Sequence, residues 1–139
     1  MVFSESDSII FDFWGKPDTR ILDIAKSVDL IIIPIHYQSQ NELKLTIQNI
    51  NAFKEHNSNI IVVINNCSPS DAKEARLVFS TVIPNVRIFE ISHSKFIRRL
   101  ANENQTVFEV SEQSKVDASL LNKKIIPQIE EILKYAKIY

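Results

Sequence analysis

The sequence predicts an α/β domain built on a parallel sheet of about four strands, with helices on both faces. Short apolar runs alternate along the chain with segments of helical periodicity, as expected for strands joined by right-handed helical crossovers. Two runs, DLIIIPI and NIIVVIN, are continuous and β-branched, which is typical of parallel strands buried on both faces. Strands are predicted at Ser8–Phe13, Val28–His36, Asn59–Asn65 and Asn85–Ile91.

The helices are predicted from apolar spacing and from capping residues. Ser39 or Asn41 can cap the second helix, and Ser68-Pro69-Ser70-Asp71 has the composition of a helix start. The last helix is expected to bend near Pro127, because a proline inside a helix loses a hydrogen bond and clashes with the preceding turn. Helices are predicted at Asp18–Lys26, Asn41–Glu55, Ser68 to about Val82 and Ala118–Lys137.

Composition indicates one globular domain over residues 1–139. The chain is 45% hydrophobic and 24% charged, with a net charge of -1, so no whole-molecule field attracts it to nucleic acid or to an anionic membrane. The single cysteine, Cys67, forms no intramolecular disulfide, which fits a cytoplasmic location. No apolar stretch approaches the ~20 residues that span a bilayer, so no membrane partner is expected.

Four segments resemble the ParA/MinD family of partition and positioning ATPases, the deviant P-loop group. SDSIIFDFWG resembles the Walker B strand that ends in Asp, and SVDLIIIPI resembles the later strand that ends in an aliphatic run and Pro. NIIVVINN resembles the strand that ends in Asn. Ile91–Val110 resembles the stretch in which a basic helix precedes a turn, here Asn104-Gln105-Thr106-Val107, and an acidic residue, here Glu109. Together the segments cover nearly the whole chain.

This resemblance implies ATP and Mg²⁺ as ligands and partition of plasmids or chromosomes, or intracellular positioning, as the function. It implies that Asp12 holds Mg²⁺, a task suited to a hard oxygen ligand. It implies that Asn65 contacts the adenine base; shifting the match by one residue would give this role to Asn66. The alternative for Asp12 is a strand-end carboxylate that accepts hydrogen bonds from nearby backbone amides. The alternative for Asn65 and Asn66 is that they only form the turn after the strand.

The chain departs from the family at the phosphate site. The family holds phosphates in a glycine-rich loop with lysines, whereas this sequence has one glycine, Gly15, and it follows Asp12. The chain alone is therefore expected not to hydrolyse ATP. In the family, the P-loop strand lies between the Walker B strand and the strand that corresponds to Leu30–Ile35. Without it, these two strands pair directly or another chain fills the gap, which suggests a homodimer or a complementing chain.

Lys95, Arg98 and Arg99 are the densest basic cluster. In a helix over His93–Asn102 they would share one face, and the resemblance implies non-sequence-specific DNA contact through phosphate charge. A solvated helix face is the alternative. The family also implies a partition adaptor protein as partner.

Two other functional classes remain open on the sequence. One is a non-catalytic α/β module that binds protein or DNA, and the other is an unrelated doubly wound domain of receiver-like or flavodoxin-like type. Metal chemistry has no sequence signal of its own, because His36, His56 and His93 have no metal-like spacing with Cys67.

Overall fold

The computed structural model describes residues 8–13, 18–37, 39–113, 119 and 121–138, and in this part of the chain it has an α/β fold. Three parallel strands pair in chain order: β1 (Ile31–Ile35), β2 (Ile60–Cys67) and β3 (Arg87–Ser92). The helices are α1 (Thr19–Ala25), α2 (Gln40–Lys54), α3 (Pro69–Val82), α4 (Lys95–Asn102), α5 (Val107–Gln113) and α6 (Ile126–Ala136). None of these helices is long and apolar enough to cross a bilayer.

The first predicted strand is wrong. Residues 8–13 form no strand, so the sheet of the described residues has three strands and not four. Ile10 is 76% exposed, and the rings of Phe11 and Phe13 stack on each other with their centroids 6.1 Å apart. An apolar run becomes a strand only when another backbone pairs with it, and the local sequence does not reveal whether such a partner exists.

The two edges of the sheet are protected in different ways. The N–H of Ile31 donates to the Asn59 carbonyl at 3.0 Å, so by alternation the backbone of Pro34 faces away from β2. Proline has no N–H, and this position therefore costs the sheet no ladder hydrogen bond while it weakens the free edge. A strand that joined β1 here would lack a donor, which disfavours the direct pairing of residues 8–13 with β1.

Side chains cover the backbone at the other edge, on β3. Arg76 donates from Nη1 to the Ile88 carbonyl at 3.0 Å and from Nε to Glu90 at 3.1 Å. Gln128 accepts from the Ser92 N–H at 3.0 Å and donates to its hydroxyl at 3.1 Å. These contacts satisfy edge groups of β3 that a further strand would otherwise use.

Two layers of helices cover the two faces of the sheet. On one face α2 and α3 pack against β2, and Phe79 of α3 is completely buried there. On the other face α6 packs through Ile132 against Ile61, Val63 and Phe89. A further apolar cluster joins α4, α5 and the start of the last helix, and its buried members are Leu100, Val110, Leu121, Ile125 and Ile126.

The capping residues begin helices as the sequence predicts, whereas the bend expected near Pro127 stays a prediction. Ser39 caps α2 by accepting from the Glu42 N–H, and Ser68 caps α3. Before α6, Leu121–Ile125 forms a π-helical turn. Pro127 follows it in the first turn of α6, a position where proline costs the helix no hydrogen bond.

Asn57 joins two loops at the amino ends of β1 and β2. Its amide donates to the carbonyls of Ala25 and Val28 at 2.9 and 2.7 Å, and its side-chain oxygen accepts from the Asn59 N–H at 2.8 Å. All three groups belong to backbone that no helix or strand otherwise satisfies at these points. Asn57 therefore fixes the entry of the chain into both strands.

Replacing Asn57 with alanine is expected to lower the free energy of unfolding by about 1–3 kcal/mol, because partly buried backbone groups lose their partners. Urea denaturation followed by circular dichroism measures this loss. Asn51→Ala, at an exposed position of α2, is the control and is expected to change stability little. Equal stability of the two variants would contradict the structural role of Asn57.

Candidate functional site

Polar side chains meet where the three parallel strands end. His36 follows β1, Asn66 lies near the end of β2, and His93 follows β3. The Asn66 side chain bridges the two histidines: its Nδ2 lies 3.2 Å from His36 Nε2, and its Oδ1 lies 2.6 Å from His93 Nδ1. The carboxyl edge of an open α/β sheet is the usual place for ligands, which makes this cluster the candidate functional site.

A β-bulge places Asn66 between the histidines. The register of β2 against β3 shifts between Asn65 and Cys67, and Asn66 has a left-handed φ of 54°. Among residues other than glycine, asparagine tolerates this region best. After the bulge, the His93 N–H donates to the Cys67 carbonyl at 2.9 Å, so pairing continues to the sheet edge.

The bulge separates the roles of the two asparagines predicted to bind nucleotide. Asn65 is exposed at the end of β2, whereas Asn66 is partly buried and bonded to both histidines. Both lie at the carboxyl edge that the sequence predicts for them. The Asn66 amide is already engaged, so Asn65 is the better placed of the two to meet a ligand.

Hydrogen bonding defines the tautomers of the cluster. The Nδ2 of Asn66 is only a donor, so Nε2 of His36 accepts and the ring proton of a neutral His36 lies on Nδ1. The Oδ1 of Asn66 is only an acceptor, so Nδ1 of His93 carries a proton. In neutral His93 the Nε2 atom then offers a lone pair away from Asn66.

The start of α3, next to the cluster, carries an acidic residue in its first turn. Ser68 and Asp71 form a capping box in which the Asp71 N–H donates to Ser68 Oγ at 3.2 Å and the Ser68 N–H donates to Asp71 Oδ2 at 3.3 Å. The Asp71 carboxylate thus occupies the helix N-terminus, where phosphates bind in nucleotide-binding folds. A second anion at this point would be repelled, and a neutral ligand would not.

Cys67 and Tyr37 border the site without offering reactive groups. Burial, and then the nearby Glu90 charge, raise the pKa of the Cys67 thiol, so it stays protonated and is a poor nucleophile. The hydrogen bond to Glu74, and then partial desolvation, raise the pKa of the Tyr37 phenol. The Tyr37–Glu74 contact links the end of β1 to α3.

The predicted DNA-binding cluster is only partly described. Lys95 and Arg99 are exposed on α4, and Arg99 lies 3.9 Å from Glu103 in an ion pair one turn along the same face. The side chain of Arg98 lies outside the described part of the structure. The nearby carboxylate of Glu103 reduces the positive charge that this face presents to a phosphate backbone.

Asp12, predicted to hold Mg²⁺, lies in the exposed segment 8–13 and does not end a strand of the sheet. Within the described residues, no group of three His, Cys, Asp or Glu side chains could hold a metal ion. Trp14 and Gly15, which follow Asp12, lie outside the described residues. Asp12 therefore does not end a strand, whereas the Asp of the Walker B segment that it resembles does.

The Thr106 and Glu109 positions of the family-like segment have a structural role in this chain. Thr106 and Glu109 form reciprocal hydrogen bonds at the start of α5, with the Thr106 N–H donating to Glu109 at 2.7 Å and the Glu109 N–H donating to Thr106 at 3.2 Å. The bonds from Thr106 hold the pKa of Glu109 below its usual value. Helix capping therefore accounts for both residues.

Comparisons with protein-family models, curated proteins and solved structures gave no match. The family resemblance stays a prediction.

Proposed function

We propose that this chain is a ParA/MinD-like partition or positioning domain that binds the base of a nucleotide and does not hydrolyse ATP by itself. The observation that carries the proposal is the pair Asn65 and Asn66 at the carboxyl end of the central strand. An exposed amide at such an edge offers one donor and one acceptor, which matches the edge of an adenine base.

The surroundings of Asn65 favour a base over a phosphate. Asp71 fills the amino end of α3, and the 139 residues contain one glycine, so they offer no glycine-rich cradle for phosphates. Catalysis of phosphoryl transfer depends on such positioning and charge stabilisation. We therefore propose ATP with Mg²⁺ as a ligand whose phosphate groups make few stabilising contacts with this chain.

Assembly with a second chain fits the same proposal. The family places its P-loop strand beside β1, at an edge with which no described strand pairs. A homodimer or a complementing chain is therefore proposed on the resemblance, although a strand added at this edge would lack one donor at Pro34. Non-specific DNA contact through Lys95, Arg98 and Arg99, and contact with a partition adaptor, remain proposals on the family resemblance alone.

Isothermal titration with adenosine and with ATP plus Mg²⁺ tests the nucleobase site. We expect similar affinities for the two ligands, because the phosphates add no contact. Asn65→Ala should weaken both by roughly fivefold, the equivalent of one hydrogen bond of about 1 kcal/mol. Asn51→Ala is the control, since Asn51 is exposed on α2 far from the strand ends in sequence.

Three results would count against the proposal. No heat with either ligand at millimolar concentration would remove the nucleobase site. Much tighter binding of ATP than of adenosine, lost in Asp12→Ala, would mean that a magnesium and phosphate site exists after all. Phosphate release above the buffer rate would contradict the absence of ATPase activity.

A further inference from the structure

The histidine pair at the carboxyl edge has a second chemical capacity, independent of nucleotide. Nε2 of His36 and Nδ1 of His93 both contact the Asn66 amide, the first at Nδ2 and the second at Oδ1. We propose that His36 and His93, with the side-chain oxygen of Asn66, bind one divalent transition-metal ion of the Zn²⁺, Co²⁺ or Ni²⁺ type, with water completing the coordination.

The positions of the three residues suit exchangeable metal binding. They come from three adjacent strand ends, so the sheet holds their backbones together before any ion arrives. Both histidines are exposed, and their side chains can therefore rotate toward an ion without opening the core. An ion bound here would replace the two hydrogen bonds of Asn66 by contacts from the same ring nitrogens, once both rings turn toward it.

The proton balance of this exchange is simple. Nε2 of His36 accepts from the Asn66 amide, and an ion would take over that lone pair. His93 presents a proton at Nδ1, and solvent can transfer it to Nε2 without any net change in charge.

The donor set selects the kind of ion. Imidazole nitrogen suits Zn²⁺, Ni²⁺ and Co²⁺, whereas Mg²⁺ and Ca²⁺ require oxygen ligands and gain nothing from two imidazoles. No third His, Cys, Asp or Glu joins the pair within the described residues. Two nitrogens and one amide oxygen therefore predict reversible binding, unlike the closed four-ligand sites of structural zinc.

Titration of the tag-free protein with ZnCl₂, followed by calorimetry, is the first test. We expect one saturable site, no heat with MgCl₂, and loss of the site in both His36→Ala and His93→Ala. His56→Ala is the matched control, because the chain has three histidines and His56 precedes β2, at the opposite end of the sheet. Circular dichroism spectra of all variants establish that each one is folded.

A measurement on the unmodified protein supports the variants. Substoichiometric Co²⁺ or Ni²⁺ should broaden the imidazole NMR signals of His36 and His93 before that of His56. Equal broadening of all three histidines, or zinc binding that survives in either cluster variant, would overturn the site. So would the absence of saturable heat at millimolar Zn²⁺.

Discussion

Phe79→Ala is expected to lower the free energy of unfolding by about 3–5 kcal/mol, which is the range for removing a buried aromatic side chain. Phe79 is 0% exposed on α3 and packs within the cluster that includes Ile50 and Val62. Alanine leaves a cavity at the contact between α3 and the sheet. Since small domains are stable by only about 5–15 kcal/mol, this loss is a large fraction of the total stability.

Urea denaturation with Leu77→Ala as the control measures the effect. Leu77 lies on the same helix but is 68% exposed, so its truncation should change stability by no more than about 0.5 kcal/mol. The two variants test which face of α3 is buried. Similar losses for both would mean that α3 does not pack on the sheet through Phe79.

The sequence predicts most of the sheet and of its helices because their signals are local. β2 is a continuous apolar run, and five of its eight residues, from Ile60 to Ile64, are buried consecutively, as expected of a central parallel strand. The caps Ser39 and Ser68 begin α2 and α3 where the sequence places them. These features depend on neighbouring residues alone.

The strand predicted at Ser8–Phe13 shows where local reasoning ends. Its apolar pattern is as clear as those of β1 and β3, but a strand also requires a backbone partner. Pro34 removes a donor from the free edge of β1, and that effect depends on which way the β1 backbone faces. That direction is known only from the register of β1 with β2.

The site was predictable in position and not in composition. Polar residues after parallel strands predict that Asn65 and Asn66 lie at the carboxyl edge. The spacing of His36 and His93 along the chain gives no metal or ligand motif, because the sheet and not the local sequence brings them together. The bulge that turns Asn66 toward them requires one residue with a left-handed φ. Because Asn65 and Asn66 are both asparagines, the sequence does not reveal which of them adopts it.

Leu121→Ala is expected to lower the free energy of unfolding by about 2–5 kcal/mol, and to do so in a single transition. Leu121 is 0% exposed within the cluster that joins α4, α5 and α6. Ile91 of β3 packs against this cluster and also against the cluster that contains Ile61 and Ile132. The two clusters are therefore in contact through one side chain.

Denaturation read by two probes distinguishes coupled from independent unfolding. Far-ultraviolet circular dichroism reports all helices, and NMR amide signals of β2 report the sheet. If Ile91 couples the clusters, we expect the two probes to give the same midpoint. Leu121→Ala should then shift both midpoints together, and the exposed control Asn122→Ala should shift neither. A variant that loses helix signal while the β2 amides persist would show that the carboxyl-terminal helices form a separate cooperative unit. The histidine site at the end of β3 would then lie at the boundary between two such units, because His93 and Ser94 connect β3 to α4.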